Sequence, residues 1–137
     1  MSRCVLDCSA ALAWVLPGED DAAADRLLEE VAVDGAVVPG LWPLEVANVL
    51  LMAERRSRIT LSERHQALSI LAELPIHIEP NTAARAWTDT LTLAETRKLT
   101  VYDASYLEVA IRLSLPLASR DGDLRKAASA YGVSILT

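Results

Sequence analysis

Four acids stand out by where they fall: Asp7, Glu45, Asp103 and Asp121. Asp7 closes the apolar stretch Cys4-Val5-Leu6. Asp121 follows the apolar stretch Leu115 to Ala118 with two residues between. Glu45 lies in the first turn of a helix that opens at Pro43, and Asp103 in the first turn of the helix leading to Leu115. Any one of them reads equally well as a helix cap or a first-turn acid facing the helix dipole. Together they read differently, because carboxylates gathered without compensation repel and need protons, basic partners or a metal. No Lys or His stands immediately beside any of the four. A hard divalent cation held by oxygen, Mg²⁺ or Mn²⁺, is the simplest way to hold them together.

The elements that must position these acids alternate. Cys4 to Leu6 predicts a strand, and Ser9 opens a helix through Leu16 that Pro17-Gly18 breaks. Glu19-Asp20-Asp21 suits a helix start running through Leu27, Leu28 and Val31. Ala36 to Val38 is a second strand, followed by the Pro43 helix to about Arg56. Thr60 or Ser62 caps a helix that Pro75 ends after Leu74, and Ile76 to Ile78 is a short third strand. Asn81 or Thr82 opens a long helix to about Leu99. Asp103 begins the next, with Leu107, Ala110, Ile111 and Leu113 on its apolar side. Strands over 115–118 and 133–136 flank a helix from Asp121 to Tyr131. Five strands and about seven helices in β-α alternation predict one α/β domain over residues 1–137, a parallel sheet with helices on both faces. In such a sheet ligands bind beyond the carboxyl ends of the strands, where the strand order reverses. The four acids sit at or near such positions.

The 137 residues suit one domain, and 52% hydrophobic content against 23% charged supports a packed core. A formal charge of −6 argues against a protein that grips nucleic acid or membrane by bulk charge. Phe is absent, and Trp14, Trp42 and Trp87 are expected to pack in the core or an interface rather than stack bases. Cys4 and Cys8 read as small buried apolar residues in a reducing compartment. Arg3 ahead of the apolar run Ala10 to Leu16 faintly suggests a secretion signal, but Asp7 interrupts it and no small-residue cleavage site precedes Pro17-Gly18. No stretch reaches the ~18–20 apolar residues of a membrane span, so the expected location is the cytoplasm. His65 and His77 stand alone and carry no expected role. Cations cluster at Arg55, Arg56 and Arg58, at Arg97 and Lys98, and at Arg120, Arg125 and Lys126. The last two groups lie near Asp103 and Asp121, which suits phosphate guidance. Asn48, one turn after Glu45, could hydrogen-bond that carboxylate.

Four segments carry a resemblance: Val5-Leu6-Asp7-Cys8-Ser9, Trp42-Pro43-Leu44-Glu45-Val46-Ala47-Asn48, Tyr102-Asp103-Ala104-Ser105-Tyr106-Leu107, and Leu117-Ala118-Ser119-Arg120-Asp121-Gly122-Asp123-Leu124. In order and spacing they resemble the PIN-domain ribonucleases, most of all the VapC-type toxins of bacterial toxin–antitoxin pairs. The resemblance implies that Asp7, Glu45, Asp103 and Asp121 form an acidic quartet holding Mg²⁺ or Mn²⁺. It implies that Ser9 orients a ligand or water and that Asp123 is a supporting acid. It further implies hydrolysis of RNA phosphodiester bonds to 5′-phosphate and 3′-hydroxyl ends, a small inhibitory antitoxin as partner, and a homodimer. Arg97, Lys98, Arg120, Arg55 and Arg56 would then be RNA contacts, and the helices from Asp20 to Leu74 would offer the antitoxin groove or dimer face.

Rival readings fit less well. A receiver-type signalling domain needs a phosphoacceptor Asp ending a middle strand and a Lys after the last; here the third strand ends in Glu79-Pro80 and no Lys follows the fifth. A haloacid-dehalogenase-like phosphatase needs Asp-x-Asp after the first strand, where Ser9 stands instead. A PIN fold that only binds partners, its nuclease idle, is the alternative that shares the fold.

Overall fold

The computed structural model describes residues 4–136. Arg3, the cation of the signal-like start, lies outside them. Five strands, β1 (Cys4–Leu6), β2 (Ala36–Val38), β3 (Ile76–Ile78), β4 (Leu117–Ala118) and β5 (Ile135–Leu136), pair in parallel in the order β3-β2-β1-β4-β5. The three central strands β1, β2 and β4 are apolar runs flanked by turn residues, and all their residues are buried. Burial on both faces is what helices above and below a parallel sheet require.

From β1 the chain winds outward through β2 to β3, then returns over the sheet to β4 and continues outward to β5. Right-handed crossovers therefore put the helices of the two halves on opposite faces. The first half carries α1 (Cys8–Leu12), α2 (Ala22–Asp34), α3 (Trp42–Arg55) and α4 (Leu61–Ala72). The second carries α5 (Thr82–Arg85), α6 (Leu91–Arg97), α7 (Val101–Leu113) and α8 (Gly122–Ala130). The reversal leaves a crevice between the carboxyl ends of β1 and β4.

Local chemistry sets most helix starts. Asp21, Thr60, Thr100 and Asp121 each accept a backbone N–H at the opening of α2, α4, α7 and α8. Thr60 and Glu63 form a reciprocal capping box, so Thr60 rather than Ser62 opens α4. Gly35 ends α2 at φ 78°, a conformation that costs glycine little.

Several expectations are corrected. The helix expected from Ser9 to Leu16 ends at Leu12, and turns continue to a buried Leu16. The long helix expected to Leu99 is broken by a π turn over Ala86–Thr90, and α6 stops at Arg97 with Lys98 left-handed behind it. Trp87 on that π turn is 90% exposed and so lies outside the core, whereas Trp42 is buried and Trp14 donates its indole N–H to the Ala24 carbonyl. Thr100, not Asp103, opens α7. Residues 104–110 of α7 are all buried because it lies between the sheet and the α6 layer, while Ile111 and Leu113 near its end are exposed. The strands expected from 115 and 133 begin at Leu117 and Ile135. Cys4 is buried in β1 and Cys8 is half-buried in α1, and neither joins a disulfide. Among the described residues there are eight α-helices, and no helix is long and apolar enough to cross a membrane.

Candidate active site

Asp7 stands at the head of the crevice, directly after β1, and is only 4% exposed. Its backbone N–H donates to the Ala118 carbonyl at 3.0 Å, extending the β1–β4 pairing by one residue. The carboxylate is held from two sides. Oδ1 accepts the Ser9 hydroxyl at 2.6 Å and the Ala10 N–H at 3.1 Å, while Oδ2 accepts the Ser119 hydroxyl at 2.7 Å. Both serines are themselves fixed: Ser9 Oγ accepts the Arg120 N–H at 2.9 Å, and Ser119 Oγ accepts the Asp121 N–H at 3.0 Å. Two loops that are more than a hundred residues apart thus clamp one carboxylate.

The other acids come from helix starts. Asp121 caps α8 through Oδ2, which accepts the Leu124 N–H at 2.9 Å. Asp103 follows the Thr100 cap of α7, its N–H donating to Thr100 Oγ1 at 3.1 Å. Glu45 lies in the first turn of α3, where its Oε1 accepts the Tyr106 hydroxyl. Tyr106 replaces the partner expected for Glu45, since Asn48 is exposed on the side of α3 away from its buried Val46 and Leu50 and makes no hydrogen bond to Glu45.

The charges of these groups act on one another. Burial raises the Asp7 carboxyl above its usual range in spite of the serine hydrogen bonds. Burial also raises Glu45, with added repulsion from Asp103 and Asp7. Asp103 is raised by burial and then by Asp121, Asp7 and Asp123. The Cys8 thiol is pushed up to about 12 by burial and by Glu45 and Asp7, so it stays protonated and offers neither nucleophile nor thiolate ligand. Among the described residues no Lys, Arg or His forms an ion pair with Asp7, Glu45, Asp103 or Asp121.

The donor set is all oxygen, negative and without a compensating cation among the described residues, which fits a hard divalent cation. Among the described residues no three His, Cys, Asp or Glu side chains are drawn close enough to enclose an ion as they stand.

Of the cation clusters read from the sequence, two contribute side chains to one cleft. Arg97, Lys98 and Lys126 line a common cleft with Asp123. Arg120 does not point into the site: its guanidinium donates to the Glu19 carbonyl at 2.6 Å and pairs with Asp21. Arg55 is exposed ten residues along α3 from Glu45, about 15 Å at 1.5 Å per residue, with Arg56 beyond it. Arg58 approaches Glu19 at 4.0 Å. Ser119 and Tyr106 were not singled out by the sequence reading. Ser119 carries a weak signal, a hydroxyl two residues ahead of Asp121; Tyr106 carries none outside the fold.

A PIN domain family model matches residues 4–130. Among solved structures, PAE2754 from Pyrobaculum aerophilum is similar with a TM-score of 0.72 and 24% identity, over 98% of this chain and 84% of that one. FitAcB from Neisseria gonorrhoeae is similar with a TM-score of 0.67 and 17% identity, over 97% and 96%. At these identities the likeness establishes the fold. No curated protein matches the chain.

Proposed function

The chain belongs to the PIN domain family, whose members are usually nucleases that use divalent metals, and from that premise we propose that it is a Mg²⁺-dependent endoribonuclease of the VapC type. The observation that carries the reading is the set Asp7, Glu45, Asp103 and Asp121, whose charges act on one another and which has no cationic partner among the described residues. A set of this kind is costly to maintain unless a cation occupies it during work.

Asp7, Asp103, Asp121 and Glu45 would hold the ion, with Mn²⁺ able to stand in for Mg²⁺. Bound there, it would supply Lewis-acid stabilisation of the charge that builds on the phosphate and make nearby water more acidic. The protein's own part is positioning. Ser9 and Ser119 keep both oxygens of Asp7 oriented, so the carboxylate does not reorganise as substrate arrives. Tyr106 does the same for Glu45. Asp123, exposed in the first turn of α8, adds negative charge beside Asp103. RNA enters with its backbone guided by Arg97 and Lys98; Arg120, Arg55 and Arg56 are secondary, being tied to Asp21 or distant along α3.

The resemblance supports a cytoplasmic setting, a small antitoxin as inhibitor and a homodimer. Exposed apolar side chains on α3 and α4, among them Leu44, Leu61, Leu68 and Ile70, suit such contacts. The test is cleavage of cellular RNA by purified protein with Mg²⁺ or Mn²⁺, an EDTA control and the Asp103→Asn variant alongside. Metal-dependent cutting that the variant lacks supports the reading. A folded wild-type protein that cuts no RNA in either metal leaves a binding module instead.

A further inference from the structure

The chain's cations divide into two groups. Arg58, Arg64, Arg85, Arg112 and Arg120 each reach a carboxylate. Arg97, Lys98 and Lys126, like Arg26, Arg55, Arg56 and Arg125, form no ion pair among the described residues, in a chain with six more acids than Lys and Arg. They converge from the end of α6 and the second turn of α8 on a cleft of about 380 Å³ floored by Ala127. Arg97 is held without being neutralised, its guanidinium lying over the Tyr131 ring 4.8 Å from the centroid. Lys98 closes α6 with φ 55°, a position that favours glycine and costs another residue about 1–2 kcal/mol. Asp123 also lines the cleft, and its charge reaches Asp103.

Resting on the nuclease reading, we propose that this cleft is a subsite for a single-stranded RNA backbone, holding a phosphate neighbouring the one at the acid cluster. The acid cluster repels a polyanion, so a strand whose scissile phosphate approaches it must be held by cations close by. Arg97, Lys98 and Lys126 are the described cations that line such a cleft without a carboxylate partner of their own. Arg120 is spent on Asp21 and the Glu19 carbonyl.

The test compares Asp103→Asn with the same protein also carrying Arg97→Gln, Lys98→Gln and Lys126→Gln. The probe is a fluorescein-labelled single-stranded RNA decamer, followed by anisotropy in Mg²⁺ over a series of salt concentrations, with circular dichroism as the folding check. Expected is a Kd at least tenfold higher and a salt slope lower by about 2, at ~0.7 per single-strand phosphate contact. With the acids intact, the triple variant should raise KM for cleavage and hold kcat within about twofold. Equal Kd and slope in the two proteins overturn the subsite, and the nuclease reading stands if wild type still cuts. Loss of RNA binding in the triple variant beside a wild type that never cuts upholds the subsite and removes the nuclease reading. Poly-glutamate bound as tightly as RNA, with the same loss on substitution, reassigns the cleft to an acidic protein segment.

Discussion

The phenol of Tyr106 donates its hydrogen bond to Oε1 of Glu45, joining α7 to α3 across 61 positions of sequence. Burial and the Glu45 charge both push the Tyr106 hydroxyl far above its usual pKa, so it is a permanent donor. The bond opposes the burial and repulsion that raise the Glu45 carboxyl. One ring buried in the core thus fixes the one acid that comes from the first half of the sheet's helices.

Tyr106→Phe keeps the ring and removes the donor. The Mg²⁺ concentration for half-maximal RNA cleavage should rise roughly 10- to 100-fold, the usual cost of losing a partner behind a metal ligand. Circular dichroism should be unchanged. Wild-type metal dependence in this variant would show that Glu45 is not held through Tyr106.

Ser119→Ala removes the donor to Asp7 Oδ2 and the acceptor of the Asp121 N–H together. Leaving buried partners unpaired costs about 1–3 kcal/mol. Urea unfolding should report that loss, and cleavage should fall with it; Ser119→Thr, which keeps the hydroxyl, should restore both. Failure of Thr to rescue either would deny the hydroxyl its part.

The acids give stability a definite slope with pH in metal-free protein. Asp7, Glu45 and Asp103 have raised carboxyls in the folded chain. Their contribution is full below the ordinary carboxylate range and is lost as pH rises through the raised values. In EDTA, Asp103→Asn should therefore melt higher than wild type at pH 7 while cutting no RNA. Mg²⁺ should raise the wild-type Tm, by about 2.7 kcal/mol of stability at a hundred times its Kd, and raise the variant's far less. A wild-type melting temperature indifferent to Mg²⁺ would speak against the metal site.

The buried ion group of Glu79, Arg112 and Glu108 behaves with the opposite sign. Arg112 donates to both carboxylates, at 2.7–3.0 Å, and holds the Glu79 carboxyl below its usual range. That contribution is full above the ordinary Glu range and is lost as pH falls through the depressed value. Glu79→Ala should cost about 3 kcal/mol at pH 7, the order found on breaking a buried pair from one side. The gap to wild type in urea unfolding should narrow in acid; a constant gap would assign the cost to packing.

What could be read from the sequence was what neighbouring residues decide. The caps at Asp21, Thr60 and Asp121, the break at Pro75 and the acid after each central strand are local matters of a side chain and a turn. Asn48 and Tyr106 show the limit. Both lie near a quartet acid in sequence, three residues from Glu45 and from Asp103, yet which one meets Glu45 depends on how α7 rotates against α3. The π turn carries no Gly or Pro to announce it, so the phase of α6 and the exposure of Trp87 were hidden as well. The charge of −6 misled until the acids had positions. Setting the four quartet acids aside leaves −2, a surface able to keep cations free at one cleft.

The strand order also governs when the chain becomes competent. Residues up to Glu79 can pair β3, β2 and β1 and bring Asp7 and Glu45 together, but β4 docks beside β1 only after residue 118. During synthesis, Asp103 and Asp121 reach the crevice last, after the segments that carry Asp7 and Glu45. On the proposed activity, a nascent nuclease still tethered to its own message has half a centre and no cut to make. The winding of the sheet is in that sense a safety interval written into the direction of translation.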